Sequence, residues 1–158
     1  MLIAAVADTH GQTDLIISRL DLVQPDYLLF AGDFYRDGRT IARKLKIEAT
    51  IVAGNCDSSY RDRQEQVVSL QNRRFLLIHG HQYGVKNTLN RLYYYARELE
   101  VDAVVFGHTH SPFCERVGDI WMINPGSPVR PRLSGQGSYA LIVVDQENIR
   151  PVIKRMGG

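Results

Sequence analysis

Five short segments of this chain carry side chains suited to holding metal ions: Asp8-Thr9-His10, Gly32-Asp33, Gly54-Asn55-Cys56-Asp57, His79-Gly80-His81 and Gly107-His108-Thr109-His110. All five histidines of the sequence lie within them. Side chains at i and i+2 of an extended chain point to the same side, so each Asp-x-His or His-x-His tripeptide is expected to present two ligands together. Imidazole and carboxylate donors without a thiolate cluster suit Mn, Fe, Ni or Zn at mixed N/O positions. A structural zinc site would draw on several cysteines in a closed tetrahedron, and the chain has only Cys56 and Cys114. Glycine before Asp33, Asn55 and His108 lets the backbone turn sharply and come close to a bound group.

The elements that must position these segments are legible as apolar runs. Residues 2–7, 26–31 and 49–53 read as strands that end at Asp8, Gly32-Asp33 and Gly54; residues 74–78 and 101–106 read as strands that end at His79 and Gly107. In open sheets of parallel type, ligands bind just beyond the carboxyl ends of the strands, so the five segments can converge on one crevice. Helices are expected between strands. One is capped near Thr13 and carries Ile16, Leu20 and Val23 on one face; a second, over residues 39–45, rests on the Ile41/Leu45 pair. A third, over residues 88–99, has Leu89, Leu92, Tyr93, Ala96 and Leu99 at helical spacing. Hairpins are expected between 67–70 and 74–78, between 114–117 and 120–123 around Gly118-Asp119, and between 139–144 and 149–154. Strand–helix alternation followed by a β meander predicts an α/β fold: a four-layer αββα sandwich of two mixed sheets flanked by helices, in a single domain over residues 1–158.

Composition narrows the function. A chain of 158 residues with 44% hydrophobic and 23% charged residues has the makeup of a folded globular domain, not of a disordered or collagen-like one. Its longest apolar run, residues 1–7, is far short of the ~20 residues a spanning helix needs, and no basic leader precedes it. No membrane association is expected. Two cysteines argue against a disulfide framework and for a reducing, cytoplasmic setting. A net charge of +2 is too small for bulk nucleic-acid binding, so any preference for anions must come from a local site.

The ordered set Asp-x-His, Gly-Asp, Gly-Asn, His-Gly-His and Gly-His-x-His resembles the calcineurin-like metallophosphoesterases, and within them the small single-domain phosphodiesterases of microbes. Asn124-Pro125-Gly126-Ser127 matches the loop of that small subfamily, so the motifs run from Asp8 to Ser127. The resemblance implies two divalent metal ions, manganese first, with iron, nickel, zinc or magnesium as alternatives. Asp8, His10 and His110 would hold one ion, Asn55, His79 and His108 the other, and Asp33 would bridge them. Two departures stand out. Many relatives carry a histidine after the asparagine, assigned to the leaving group or transition state, where this chain has Cys56. The family's Asp-x-x-Asp-Arg is changed as well, because Arg36 precedes Asp37.

Two metal ions ~3.5–4 Å apart generate hydroxide near neutral pH and clamp both the attacking and leaving oxygens of an in-line displacement. Two dications bring four positive charges. Asp8, Asp33 and a bridging hydroxide remove three of them, which leaves one to be matched by a phosphodiester and overshot by a monoester dianion. A small phosphodiester or nucleotide-like substrate is therefore expected, with Asp33, Asn55 and His108 at the reacting centre. Cys56 and His81 are the two candidates for leaving-group protonation, and a free thiol titrating near ~8.5 is a mediocre acid. Arg130 and Arg132 read as surface or as phosphate contacts. Tyr93 fits the buried stripe of its helix, while Tyr94 and Tyr95 read as surface or as a patch for homo-oligomer formation. The competing functions are a non-catalytic interaction scaffold on the same fold, like the retromer scaffold subunit, and a binuclear hydrolase of another bond such as an amide.

Overall fold

The structure, a computed structural model, describes residues 1–131 and 135–157; Arg132 lies outside them. Ten strands form two mixed sheets, and three helices cover their outer faces. In chain order the elements are β1 (Leu2–Val6), α1 (Asp14–Val23), β2 (Tyr27–Phe30), α2 (Tyr35–Leu45), β3 (Glu48–Ile51), β4 (Glu65–Leu70), β5 (Arg73–Ile78), α3 (Asn90–Glu98), β6 (Ala103–Val105), β7 (Phe113–Val117), β8 (Ile120–Asn124), β9 (Ser138–Val144) and β10 (Ile149–Arg155). The first sheet runs β10-β9-β1-β2-β3 and the second β4-β5-β6-β8-β7. The parallel trio β1, β2 and β3 lies in one sheet, and the parallel trio β5, β6 and β8 in the other. No helix among the described residues is long and apolar enough to cross a membrane.

The layering follows from side-chain alternation. A parallel strand covered on both faces must be apolar throughout, and β1 sends Ile3 and Ala5 into the core between the sheets while Ala4 and Val6 meet the helices. Strand β5 does the same, with Phe75 and Leu77 inward and Leu76 and Ile78 outward. Ile16 and Leu20 of α1 and Ile41 of α2 pack on the first sheet; Leu92 and Ala96 of α3 pack on the second. The four-layer αββα sandwich expected from the sequence is the observed fold.

Two helices differ in extent from the reading of the sequence. Helix α2 begins at Tyr35 and not at residue 39. Gly38 and the charged residues around it hide its first turn from an apolar periodicity, yet Gly38 is where the helix presses on the sheet. A Cβ there would come 2.8 Å from Phe30 and from Ile51. Helix α3 begins at Asn90, because Thr88 is held in a preceding turn by its N–H to the Gly84 carbonyl, and its hydroxyl accepts from the Asn90 N–H.

Candidate metal centre

Six segments that leave the carboxyl ends of the two parallel trios meet along one edge of the sandwich. Asp8 follows β1, Asp33 follows β2, Asn55 follows β3, His79 follows β5, and His108 follows β6. The sixth starts at Asn124, the last residue of β8. The two sheets are tied there by hydrogen bonds. The His108 N–H donates to Asp8 Oδ2 at 2.9 Å and the His79 ring donates to the Ala31 carbonyl, both between the sheets, while the Gly107 N–H donates to the His79 carbonyl at 3.0 Å within the second sheet.

The tripeptides reach the site by a route other than the extended one. Asp8, His10, His108 and His110 all have positive φ, between 47° and 73°. The pairs converge through left-handed turns at each candidate ligand, a conformation L-residues rarely adopt unless surrounding contacts fix it. Those contacts are visible. Asp37 Oδ2 accepts from the Thr9 hydroxyl at 2.6 Å and from the Gly11 N–H at 2.7 Å, which clamps the Asp8–His10 turn. Asn124, fully buried, donates to the Gly107 carbonyl and to Thr109 Oγ1, and accepts from the Gly126 N–H. Ser127 donates to the Asp8 carbonyl at 2.8 Å and accepts from the Arg130 N–H. The 124–127 loop thus braces the two ligand-bearing turns from below. In the sequence Asp37 stood out only as half of the reversed Arg36-Asp37 pair, with no role read for it.

Within this frame the donor atoms face one another. His10 Nε2 and His110 Nε2 are 3.2 Å apart, and Asp8 Oδ1 lies 3.6 Å from His110 Nε2 and 3.8 Å from His79 Nε2. Asp33 Oδ2 lies 3.5 Å from His79 Nε2, whose other neighbour is Asn55 Oδ1 at 3.0 Å. The His108 ring centroid is 5.1 Å from that of His79. Three groups each gather donor atoms within 4.8 Å of one another: Asp8, His10 and His110; Asp8, Asp33 and His79; and His10, Asp33 and Cys56. The seven residues read from the sequence as ligands are brought together.

Their protonation suits cations. His79 donates Nδ1–H to the Ala31 carbonyl at 2.8 Å, and His110 donates Nδ1–H to the Arg130 carbonyl at 3.0 Å, which turns each Nε2 lone pair inward. Burial lowers the His79 pKa to about 4; burial and then the neighbouring His79 lower that of His108 to about 4. Burial also lowers His10 and His81. Neutral imidazole is the ligating form. Asp8 is fully buried and its Oδ1 has no hydrogen-bond partner among the described residues; burial, then the charge of Asp33, hold its carboxyl well above the usual range. A buried carboxylate oxygen with no donor, facing neutral imidazoles, fits a cation and little else.

The remaining candidates divide clearly. Cys56 is exposed; its backbone N–H donates to Asp33 Oδ1 at 3.0 Å, and burial of the thiol group followed by the Asp33 carboxylate pushes its pKa up to about 11. His81 sits beside the centre, its ring 5.5 Å from His79 and 6.1 Å from His108, with a buried Nδ1 that has no partner among the described residues. Asp57 accepts from the Tyr35 and Gly54 N–H groups and so orients loops. Tyr93 packs against the α3 core, Tyr95 donates to Glu65, and Tyr94 is 60% exposed.

Glycine is demanded most strongly at position 54. A Cβ on Gly54 would fall 1.8 Å from Asp33 Oδ1, and one on Gly107 2.9 Å from Asp8 Oδ2. Both glycines make room for a carboxylate.

Comparison with known proteins gives a consistent picture. Residues 1–147 match the calcineurin-like phosphoesterase superfamily domain. The chain is 32% identical over 149 residues to the probable metallophosphoesterase YsnB of Bacillus subtilis, covering 93% of this chain and 86% of that one. It is 27% identical over 163 residues to the phosphodiesterase YfcE of Escherichia coli, covering 86% and 84%. In structure it is similar to the zinc complex of Vps29 from Entamoeba histolytica, with a TM-score of 0.80, 23% identity and 99% of each chain covered.

Proposed function

Because the chain belongs to the calcineurin-like phosphoesterase superfamily, we propose that it is a metal-dependent phosphoesterase acting on small phosphodiesters. Asp8, His10 and His110 would hold one divalent cation, Asn55, His79 and His108 a second, and Asp33 would serve both. The observation that carries this reading is the place of Asp33, whose carboxylate oxygens fall within 4.8 Å of donors from both groups, His10 on one side and His79 on the other. Manganese is the first candidate, and an N/O donor set suits iron, nickel and zinc as well.

When bound, such a pair supplies a water-derived nucleophile near neutral pH and polarises the phosphoryl oxygens. The chain's own residues do the rest. Asn55 and His108, at the less buried side of the cluster, contact the substrate phosphate. The Cys56 backbone N–H and thiol both hydrogen-bond to Asp33, so the residue serves the site by fixing that carboxylate. His81 is the side chain left to protonate the leaving oxygen. Two dications against Asp8, Asp33 and one hydroxide leave a single positive charge, which a diester matches.

The test is a metal-reconstituted assay with bis(p-nitrophenyl) phosphate and p-nitrophenyl phosphate, alongside metal analysis. Higher kcat/KM on the diester and two bound ions per chain are expected. Equal kcat/KM on the two esters removes the diester preference. Failure to take up any divalent ion, with no turnover of either ester, removes the enzyme reading.

A further inference from the structure

Helix α2 presents Arg36, Arg39, Thr40 and Arg43 at spacings of three, four and seven residues, which places them on one helical face. They line a cavity of about 500 Å³ whose remaining wall is Tyr60. A second cavity, of about 370 Å³, shares Arg36 and Tyr60 with the first and is lined further by Phe34, Cys56 and Asp57. Cys56 in turn belongs to the group with His10 and Asp33. The two cavities therefore form a trough that leads from the metal centre to the arginine face.

None of the three guanidinium groups makes an ion pair among the described residues. Two carboxylates, Asp37 and Asp57, line the second cavity, each held by hydrogen bonds, Asp37 to Thr9 and Gly11 and Asp57 to Tyr35 and Gly54, whereas the first cavity has no acid in its lining. Tyr60 is a fixed wall, stacked on Tyr35 at 4.3 Å between centroids and 18° between planes, while the Tyr35 hydroxyl accepts from Arg63 at 2.8 Å. Three arginines spread over roughly 10 Å of helix, in a chain with net charge of only +2, make a local anion site and not a share of a general field.

From this we infer that the trough is a second phosphate subsite, and that the substrates of the metal centre are diesters carrying a further phosphate group beyond the scissile one. The inference rests on the phosphodiesterase reading above. Arginine forks match phosphate oxygens in pairs, and Tyr60 offers an aromatic face to the group that links the two phosphates. The order Arg36-Asp37 contributes here: the acid turns back to brace the Asp8–His10 turn, and the arginine faces the trough.

The test compares thymidine 5′-(p-nitrophenyl phosphate) with the same ester bearing a 3′-phosphate, using the metal-loaded protein. The wild-type chain should favour the phosphorylated ester by roughly tenfold in kcat/KM, chiefly through KM, from charge-assisted contacts at an exposed site. In R39A/R43A that ratio falls to about one, and in K44A, which removes a charge from α2 outside the cavity, it stays at the wild-type value. A wild-type ratio near one, or a ratio that R39A/R43A does not change, overturns the inference. If neither ester is hydrolysed the phosphodiesterase reading has failed, and calorimetric titration of the protein with tripolyphosphate decides the subsite. Binding that R39A/R43A weakens and K44A spares supports it, and equal or absent binding in all three chains overturns it.

Discussion

At the scale of single residues, the site depends on space as much as on donor atoms. Gly54→Ala would put a methyl group 1.8 Å from Asp33 Oδ1 and drive the shared carboxylate out of place. The expected result is loss of one bound ion and a fall in activity on the order of 100-fold, the usual cost of a misplacement near 1 Å, with near-normal circular dichroism. Cys56→Ala should cost little on aryl esters, because the backbone N–H that donates to Asp33 survives the change and only the thiol's own hydrogen bond to that carboxylate is lost; a loss greater than about tenfold in kcat would give the thiol a part in the chemistry. His81→Gln should slow alkyl esters more than aryl esters, a difference read directly from paired kcat values. The candidate ligand residues were legible in the sequence because imidazole and carboxylate groups cluster at strand ends, where a parallel sheet gathers them. The left-handed turns that deliver them were not, since φ depends on contacts with Asp37, Asn124 and Ser127 that no local spacing encodes.

At the scale of elements, the strands were plain from continuous apolar runs, and the first turn of α2 was hidden by glycine and charge. Gly38 is there for proximity. Gly38→Ala gains about 1 kcal/mol of helix propensity but presses on Phe30 and Ile51, and a net loss of about 1–2 kcal/mol is expected in urea unfolding. The 124–127 loop reads in sequence as a turn, and its bracing work emerges only when β8 is seen to end beneath the Gly107–His110 segment. Asn124→Ala leaves the Gly126 N–H without its acceptor and the Gly107 carbonyl with the Thr109 N–H alone, at a cost of about 1–3 kcal/mol, and should weaken metal binding as the His108–His110 turn loosens.

At the scale of the whole molecule, folding and ion binding are linked through the same groups. In chelator-treated protein, His79 and His108 titrate near 4 when folded, against an ordinary value of 6.5. The unfolded chain binds more protons between those values, so their contribution to stability is present above about pH 6.5 and is lost as pH falls toward 4. Asp8 acts in the opposite sense, because its raised folded pKa gives stability that is lost as pH rises through it. With His10 and His81 also lowered by burial, four histidines act against one carboxylate, and the metal-free protein should unfold at lower urea at pH 4.5 than at pH 7. A flat or reversed profile would mean that Asp8 outweighs them. Added divalent ions should stabilise the fold by about 2.7 kcal/mol for each bound ion at a hundred times its dissociation constant, and the unfolding temperature should rise with concentration. The hydrogen bonds from His108 to Asp8, from His79 to the Ala31 carbonyl and from Ser127 to the Asp8 carbonyl all cross from one sheet's strand ends to the other's. Cations seated on that boundary would act as rivets, so amide exchange along the facing edges of β1 and β6 should slow on metal loading while the outlying β10 and β7 hairpins keep their own pace.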